Sequence, residues 1–170
     1  MKAVLISIRP HWCEMIARGE KTIEVRKTKP KLDTPFKVYI YCTKDRHGWF
    51  DFGKKERLDG KIIGEFVCDT FVVDKTFGHD AMFNAAACMT DAEVSAYCLN
   101  AEMYGWHISN LVIYDKPNPL SKFYKECDGL YNTGLCYECE KAVGEECDCA
   151  TNGRVFITRP PQSWCYVEEL

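Results

Sequence analysis

Apolar and polar positions change period several times along the chain, and each change marks an element. Ala3 to Ile8 is a nearly unbroken aliphatic run, which predicts a strand over 3–8. Pro10 ends it and suits the first turn of a helix. Trp12, Met15 and Ile16 then recur at helical spacing and Gly19 supplies a stop, so a helix is predicted over 11–18. From Lys21 to Lys27 the period falls to two: Ile23 and Val25 point one way, Thr22, Glu24 and Arg26 the other. Phe36 to Thr43 repeats that alternation, with Val38, Ile40 and Cys42 on one face and Tyr39 and Tyr41 on the other.

Lys61 to Val73 predicts one long strand or a bent pair. Thr90-Asp91-Ala92-Glu93 has the capping-box pattern and starts a short helix through Tyr97. Trp106 to Tyr114, Arg154 to Thr158 and Trp164 to Val167 read as further strands. Several short strands with few helices between them predict an α+β fold. The segments 3–8, 22–27, 36–43, 61–69, 107–114 and 154–158 are expected to close into one small β-barrel with peripheral helices. A length of 170 residues suits a single domain over 1–170, with 120–152 as a cysteine-rich insertion. No apolar run approaches the roughly 20 residues of a membrane-spanning helix. The aliphatic run at the N-terminus is too short for a signal peptide. The expectation is a cytoplasmic protein with no membrane partner.

Charge adds an asymmetry. The net charge is −3, yet residues 1–60 hold 14 of the 22 basic and 8 of the 25 acidic residues. A basic half joined to an acidic half either presents a phosphate-binding surface or is two ordinary solvated faces. Lys44 to Arg57 interleaves Lys44, Arg46, Lys54, Lys55 and Arg57 with Trp49, Phe50 and Phe52, the mixture that single-stranded nucleic acid needs. Trp12, Tyr41, Trp49, Tyr104 and Trp106 offer ring faces, although Trp106 and Trp164 suit a core better.

The densest chemistry lies at Gly19-Glu20-Lys21-Thr22-Ile23-Glu24-Val25-Arg26. Glu24 and Arg26 share one strand face and Lys21 leaves from the turn before it. Such a group can hold a polar ligand, with Arg26 as a donor fork, Lys21 as a point charge and Glu24 as acceptor or base. The alternative is a salt bridge that only organises the strand. Glu65, on a later strand, is a weaker candidate for a second carboxylate. The pair His11 and Cys13 does not suit a nucleophile with its base, because residues two apart on a helix face different ways.

The full G-x-K-x-x-E-x-R pattern at Gly19, Lys21, Glu24 and Arg26 resembles the motif of the ASCH domain family, a branch of the PUA-like superfamily. Ser7-Ile8-Arg9-Pro10 before it resembles the family too. So do Trp106-His107-Ile108-Ser109-Asn110-Leu111 with Pro117, and the ending Arg159 to Val167, which is similar to phage and bacterial members. The resemblance implies a PUA-like barrel and a cleft that binds RNA or a modified nucleoside. Carried onto this chain, the ligand-binding residues are Lys21, Glu24 and Arg26, with Arg9 in the matching lead-in; Tyr41 and Trp49 are added as ring faces from their own chemistry, and Lys21 and Glu24 are catalytic if the protein is an enzyme. One branch hydrolyses an acylated cytidine with a lysine, a threonine and a glutamate, and has threonine where this chain has Glu24. Other members are proposed to cleave single-stranded RNA. The partner expected is therefore RNA or a nucleoside, and the activity, if any, that of an amidohydrolase or a ribonuclease.

Of the 11 cysteines, five lie between Cys127 and Cys149. An odd number in a chain read as cytoplasmic argues against a disulfide framework. The spacing Cys127-x8-Cys136-x2-Cys139-x7-Cys147 supplies four thiolates for a closed tetrahedral zinc site, with Cys149 as an alternative ligand. Such a zinc would be structural. The other reading is free thiols or a redox pair. A zinc-braced insertion would also offer a surface for a protein partner.

Overall fold

In a computed structural model, described over residues 1–44, 58–76, 78–99, 101–126 and 154–170, these patterns become sheets and helices. β1 (Lys2–Ile8) runs parallel to β3 (Phe36–Cys42), with Val4 opposite Val38 and Ile8 opposite Cys42. β4 (Lys61–Cys68) pairs antiparallel with β3, and β7 (Ser109–Asn118) with β4. The closing strand β10 (Trp164–Glu168) lies antiparallel on the other side of β1, giving the order β10-β1-β3-β4-β7. Parallel pairs need a crossover, and their sheets are covered on both faces. Here α1 (Pro10–Ala17) supplies the crossover's first half and packs Cys13 and Ile16 on Val4, Ile6, Val38 and Ile40. The opposite face buries Leu5, Tyr39 and Tyr41 with Phe123, Ile157 and Val167. The alternation in Phe36–Cys42 therefore separates two cores, not core from solvent.

A second sheet holds β2 (Ile23–Arg26), β6 (Met103–His107) and β5 (Phe71–Asp74), in the order β2-β6-β5. Ile23 and Val25 point into a core shared with α2 (Ala81–Ala87) and α3 (Asp91–Cys98), against Phe83, Ala87, Val94 and Met103. Asp80 caps α2 by accepting from the Met82 and Phe83 amides. Thr90 and Glu93 form the reciprocal box that the sequence predicts for α3. Gly105 lets the sheet approach α2, since a Cβ there would lie 2.7 Å from Ile23 Cδ1 and 2.9 Å from Phe83 Cε2.

The α+β reading holds, but no closed barrel forms among the described strands. β4 bends into β5 at Asp69-Thr70, and β6 bends into β7 at Ile108, so both ribbons leave one sheet and enter the other. The His107 amide donates to Thr70 O at 3.1 Å and the Asp69 carboxylate meets His107 Nδ1 at 2.7 Å, which fixes the bend. Segment 22–27 consequently joins the second sheet, where β6 is its strand partner. Segment 154–158 appears as β9 (Arg154–Phe156), paired with β8 (Tyr124–Glu126). Among the described residues no helix is long and apolar enough to cross a membrane.

Gly64 sits where the β4–β7 register shifts, and a Cβ there would lie 2.4 Å from the Val112 carbonyl oxygen. Backbone cannot rotate away as a flexible side chain would. Gly64→Ala should cost about 1–3 kcal/mol, read from the urea midpoint at unchanged m. A loss below about 0.5 kcal/mol, the level of a neutral surface change, would mean that β7 slides to make room.

Candidate functional site

Gly19 leaves α1 with φ at 74°, a left-handed conformation that costs glycine nothing. The Glu20 and Lys21 amides both return to Met15 O, so the chain enters β2 folded back on the end of α1. That turn buries Lys21, which is 2% exposed. Its Nζ donates to Ala87 O at 2.6 Å, lies 3.7 Å from Glu24 Oε2 and stands 4.8 Å from the centre of the Trp12 ring. Glu24 is 5% exposed, and its Oε1 is 3.0 Å from Arg26 Nη2. Arg26 Nη2 also donates to Ser7 O at 2.6 Å. A cation–carboxylate–cation chain thus ties α2 and β2 to β1. Glu24 Oε2, which faces the Lys21 ammonium only at ion-pair distance, and Arg26 Nε make no hydrogen bond among the described residues, which leaves acceptor and donor capacity for a ligand.

The three side chains line a cavity of about 1090 Å³. Trp12, Tyr41 and Tyr97 add aromatic surface, and Pro160 to Ser163, before β10, complete part of the wall. Arg9, Lys21, Arg26 and Lys44 outnumber Glu24 and Glu93 in the lining, so the cavity is cationic within a chain of net charge −3. Glu93 is further committed to capping α3.

Comparison with protein-family models and with curated protein sequences gives no match. Solved structures do match. An ASCH protein from Zymomonas mobilis aligns over 98% of this chain and 88% of its own, with a TM-score of 0.62 and 15% identity. A tyrosine-to-phenylalanine variant of that protein aligns over 71% of this chain and 77% of its own, at 0.56 and 16%. A serine-to-alanine variant covers 98% and 89%, at 0.54 and 14%. This chain has the ASCH fold. At such identities it is the fold that is shared, and the chemistry of the site rests on this chain's own residues.

Within this ASCH fold the motif residues come together as the strand parity requires. Arg9 is exposed and Tyr41 buried, and both line the cavity. Trp49 lies outside the described residues, as do Cys127, Cys136, Cys139, Cys147 and Cys149. Glu65 is not a second carboxylate of the site. It accepts from the Tyr114 hydroxyl and pairs with Lys37 at 3.3 Å, opposite Tyr39 on the other face of the sheet. Trp106 is fully buried against Phe36, Phe71 and Trp164 and serves the core. Burial pushes the Cys13 thiol well up, which keeps it protonated, and His11 rests on the Trp12 ring instead. Tyr97 is an aromatic cavity residue that the sequence did not single out. The capping box places its helix but not the face that Tyr97 occupies.

Burial pushes the Lys21 ammonium down from its ordinary value, with Glu24 opposing the shift. The folded chain therefore releases this proton at lower pH than the unfolded chain. Between the two midpoints the unfolded state holds more protons, so this group makes stability rise with pH across that window. In lysine-labelled NMR titrations Lys21 should deprotonate before the exposed lysines. A midpoint at or above theirs would show that Glu24 outweighs desolvation.

Proposed function

We propose that this ASCH-fold protein binds single-stranded RNA and holds one nucleotide in the cavity of Lys21, Glu24 and Arg26. One observation carries the reading: a largely buried cation–carboxylate–cation chain, with hydrogen-bonding capacity to spare, lines a cationic cavity with aromatic surface. A base needs a ring face and a polar edge, and a phosphate needs cations. Trp12 and Tyr97 offer the faces, Glu24 and Arg26 the edge, Arg9 and Lys44 the charge. The cavity, about 1090 Å³, lies at the upper end of small-molecule sites, roughly 300–1000 Å³, and has room for a nucleotide.

Fluorescence anisotropy with a labelled single-stranded RNA, competed by nucleosides, tests this. Arg9→Ala/Lys44→Ala removes two exposed cations and should weaken RNA binding while the melting temperature stays put. No saturable binding of RNA or any nucleoside up to about 1 mM, the edge of specific affinity, would end the proposal.

A second reading is a hydrolase in the same cavity, acting on an acylated nucleoside or on the RNA strand. It is favoured by one observation, the lowered pKa of Lys21 beside Glu24, which suits a lysine to proton transfer. Chromatography of both substrate types after incubation decides it.

We propose also that Cys127, Cys136, Cys139 and Cys147 hold one structural zinc, with Cys149 as the alternative ligand. This rests on their spacing alone. Metal analysis should find about one zinc per chain, and chelation should release thiols to titration and lower the melting temperature. Protein free of zinc whose five clustered thiols all titrate in the native state would refute it.

A further inference from the structure

Resting on the RNA reading above, we infer that the strand leaves the cavity over Lys27 and Lys29, stacking its flanking bases on Tyr97, Tyr104 and Phe71. Lys27 Nζ stands 5.1 Å from the centre of the Tyr97 ring, and Tyr97 lines the cavity. Lys29 Nζ stands 5.2 Å from the Phe71 ring and 5.6 Å from the Tyr104 ring, neither of which lines the cavity. Tyr104 is the register partner of Arg26 across β2 and β6. The two lysines thus continue the basic, aromatic surface outward from the motif.

The loop that carries them is braced and the lysine tips are not. Trp164 Nε1 donates to Thr28 Oγ1 at 3.1 Å, and the Lys31 amide donates to the Tyr166 hydroxyl at 2.8 Å. Pro30 is buried between them. Lys27 and Lys29 are exposed, and among the described residues neither forms an ion pair. Each ammonium therefore covers a half-buried ring face that a base can take over, while the freed ammonium turns to the neighbouring phosphate. The loop stays where β10 holds it, so this exchange orders only two side chains. A purely structural role for these lysines would not call for three aromatic faces, each covered by a cation that has no carboxylate partner among the described residues.

The test compares oligouridylates of about 4 and about 12 nucleotides, a span that brackets single-strand site sizes, over a salt series. The wild type should bind the longer strand at least about tenfold tighter, as one or more stacked bases would provide. Lys27→Ala/Lys29→Ala should keep the short-strand affinity, lose the gain with length, and show a salt slope shallower by about 1.4, since each phosphate contact contributes about 0.7. A strand of the longer length that keeps about four bases and is abasic elsewhere should lose most of the gain with length, keeping only what the two phosphate contacts contribute. Unchanged length dependence in the double variant overturns the inference and leaves the cavity reading intact. Equal binding of the abasic strand reduces the surface to a polyanion site and also overturns it. Absence of RNA binding by the wild type removes both readings together.

Discussion

Glu24→Gln is expected to destabilise the chain by about 3–5 kcal/mol, the cost of breaking a buried ion pair from one side. The glutamine is isosteric and still accepts a hydrogen bond, so packing is not the issue. What is lost is the carboxylate between Lys21, which stays buried, and Arg26, which stays largely buried. Lys21 has an escape, because burial already inclines it to release its proton. Arg26 has none, since a guanidinium does not deprotonate in a protein. The uncompensated charge therefore falls on Arg26, which is 13% exposed and leans on the Ser7 carbonyl. A second variant, Lys21→Met/Glu24→Gln, removes the cation that can already neutralise itself, so it should recover little and leave the loss on Arg26. Urea midpoints at constant m give both numbers. A single-variant loss under about 1 kcal/mol, the scale of an exposed pair, would mean that water reaches the three groups in solution. The motif's parity alone suggests partly exposed side chains whose replacement costs little. The burial of Lys21 and Glu24 reverses that expectation.

What could be read from the sequence was what depends on neighbours in the chain. Period-two alternation set Glu24 and Arg26 on one face and Ile23 and Val25 on the other, and the structure puts the latter pair in the helix-covered core. Pro10 at the start of α1, the left-handed Gly19 after it and the Thr90–Glu93 box are likewise local rules. The switch between sheets was hidden for a physical reason. A strand looks equally apolar whichever sheet buries it, so Lys61 to Val73 signals a long or bent ribbon without saying that it changes partners at Asp69-Thr70. α2 escaped notice because Ala-Met-Phe-Asn-Ala-Ala-Ala over Ala81–Ala87 carries one large buried anchor, Phe83, and no apolar repeat. Glu65 was misplaced because parity fixes a face but not which layer covers it. The face it shares with Tyr39 turned out to be the second core.

Trp12→Ala is expected to weaken RNA binding about tenfold or more, since a stacked base is worth roughly 1–3 kcal/mol and each 1.4 kcal/mol is a factor of ten. The same change should move Lys21 back toward its ordinary pKa. Two effects of the indole compete there. Its ring face favours the ammonium through the 4.8 Å contact, while its bulk keeps water away. Desolvation is the largest influence on Lys21, so opening the wall to water should win and the midpoint should rise. Trp12→Phe separates the ring's role from its contribution to folding: it keeps an aromatic face and most of the bulk, and should restore most of the RNA affinity and leave Lys21 low. Anisotropy titration and lysine NMR on the same three proteins read both quantities. If Trp12→Ala stays folded and binds RNA like the wild type, no base rests on this ring. If Trp12→Phe fails as badly as Trp12→Ala while both remain folded, the indole N–H, not the ring face, is what the ligand uses.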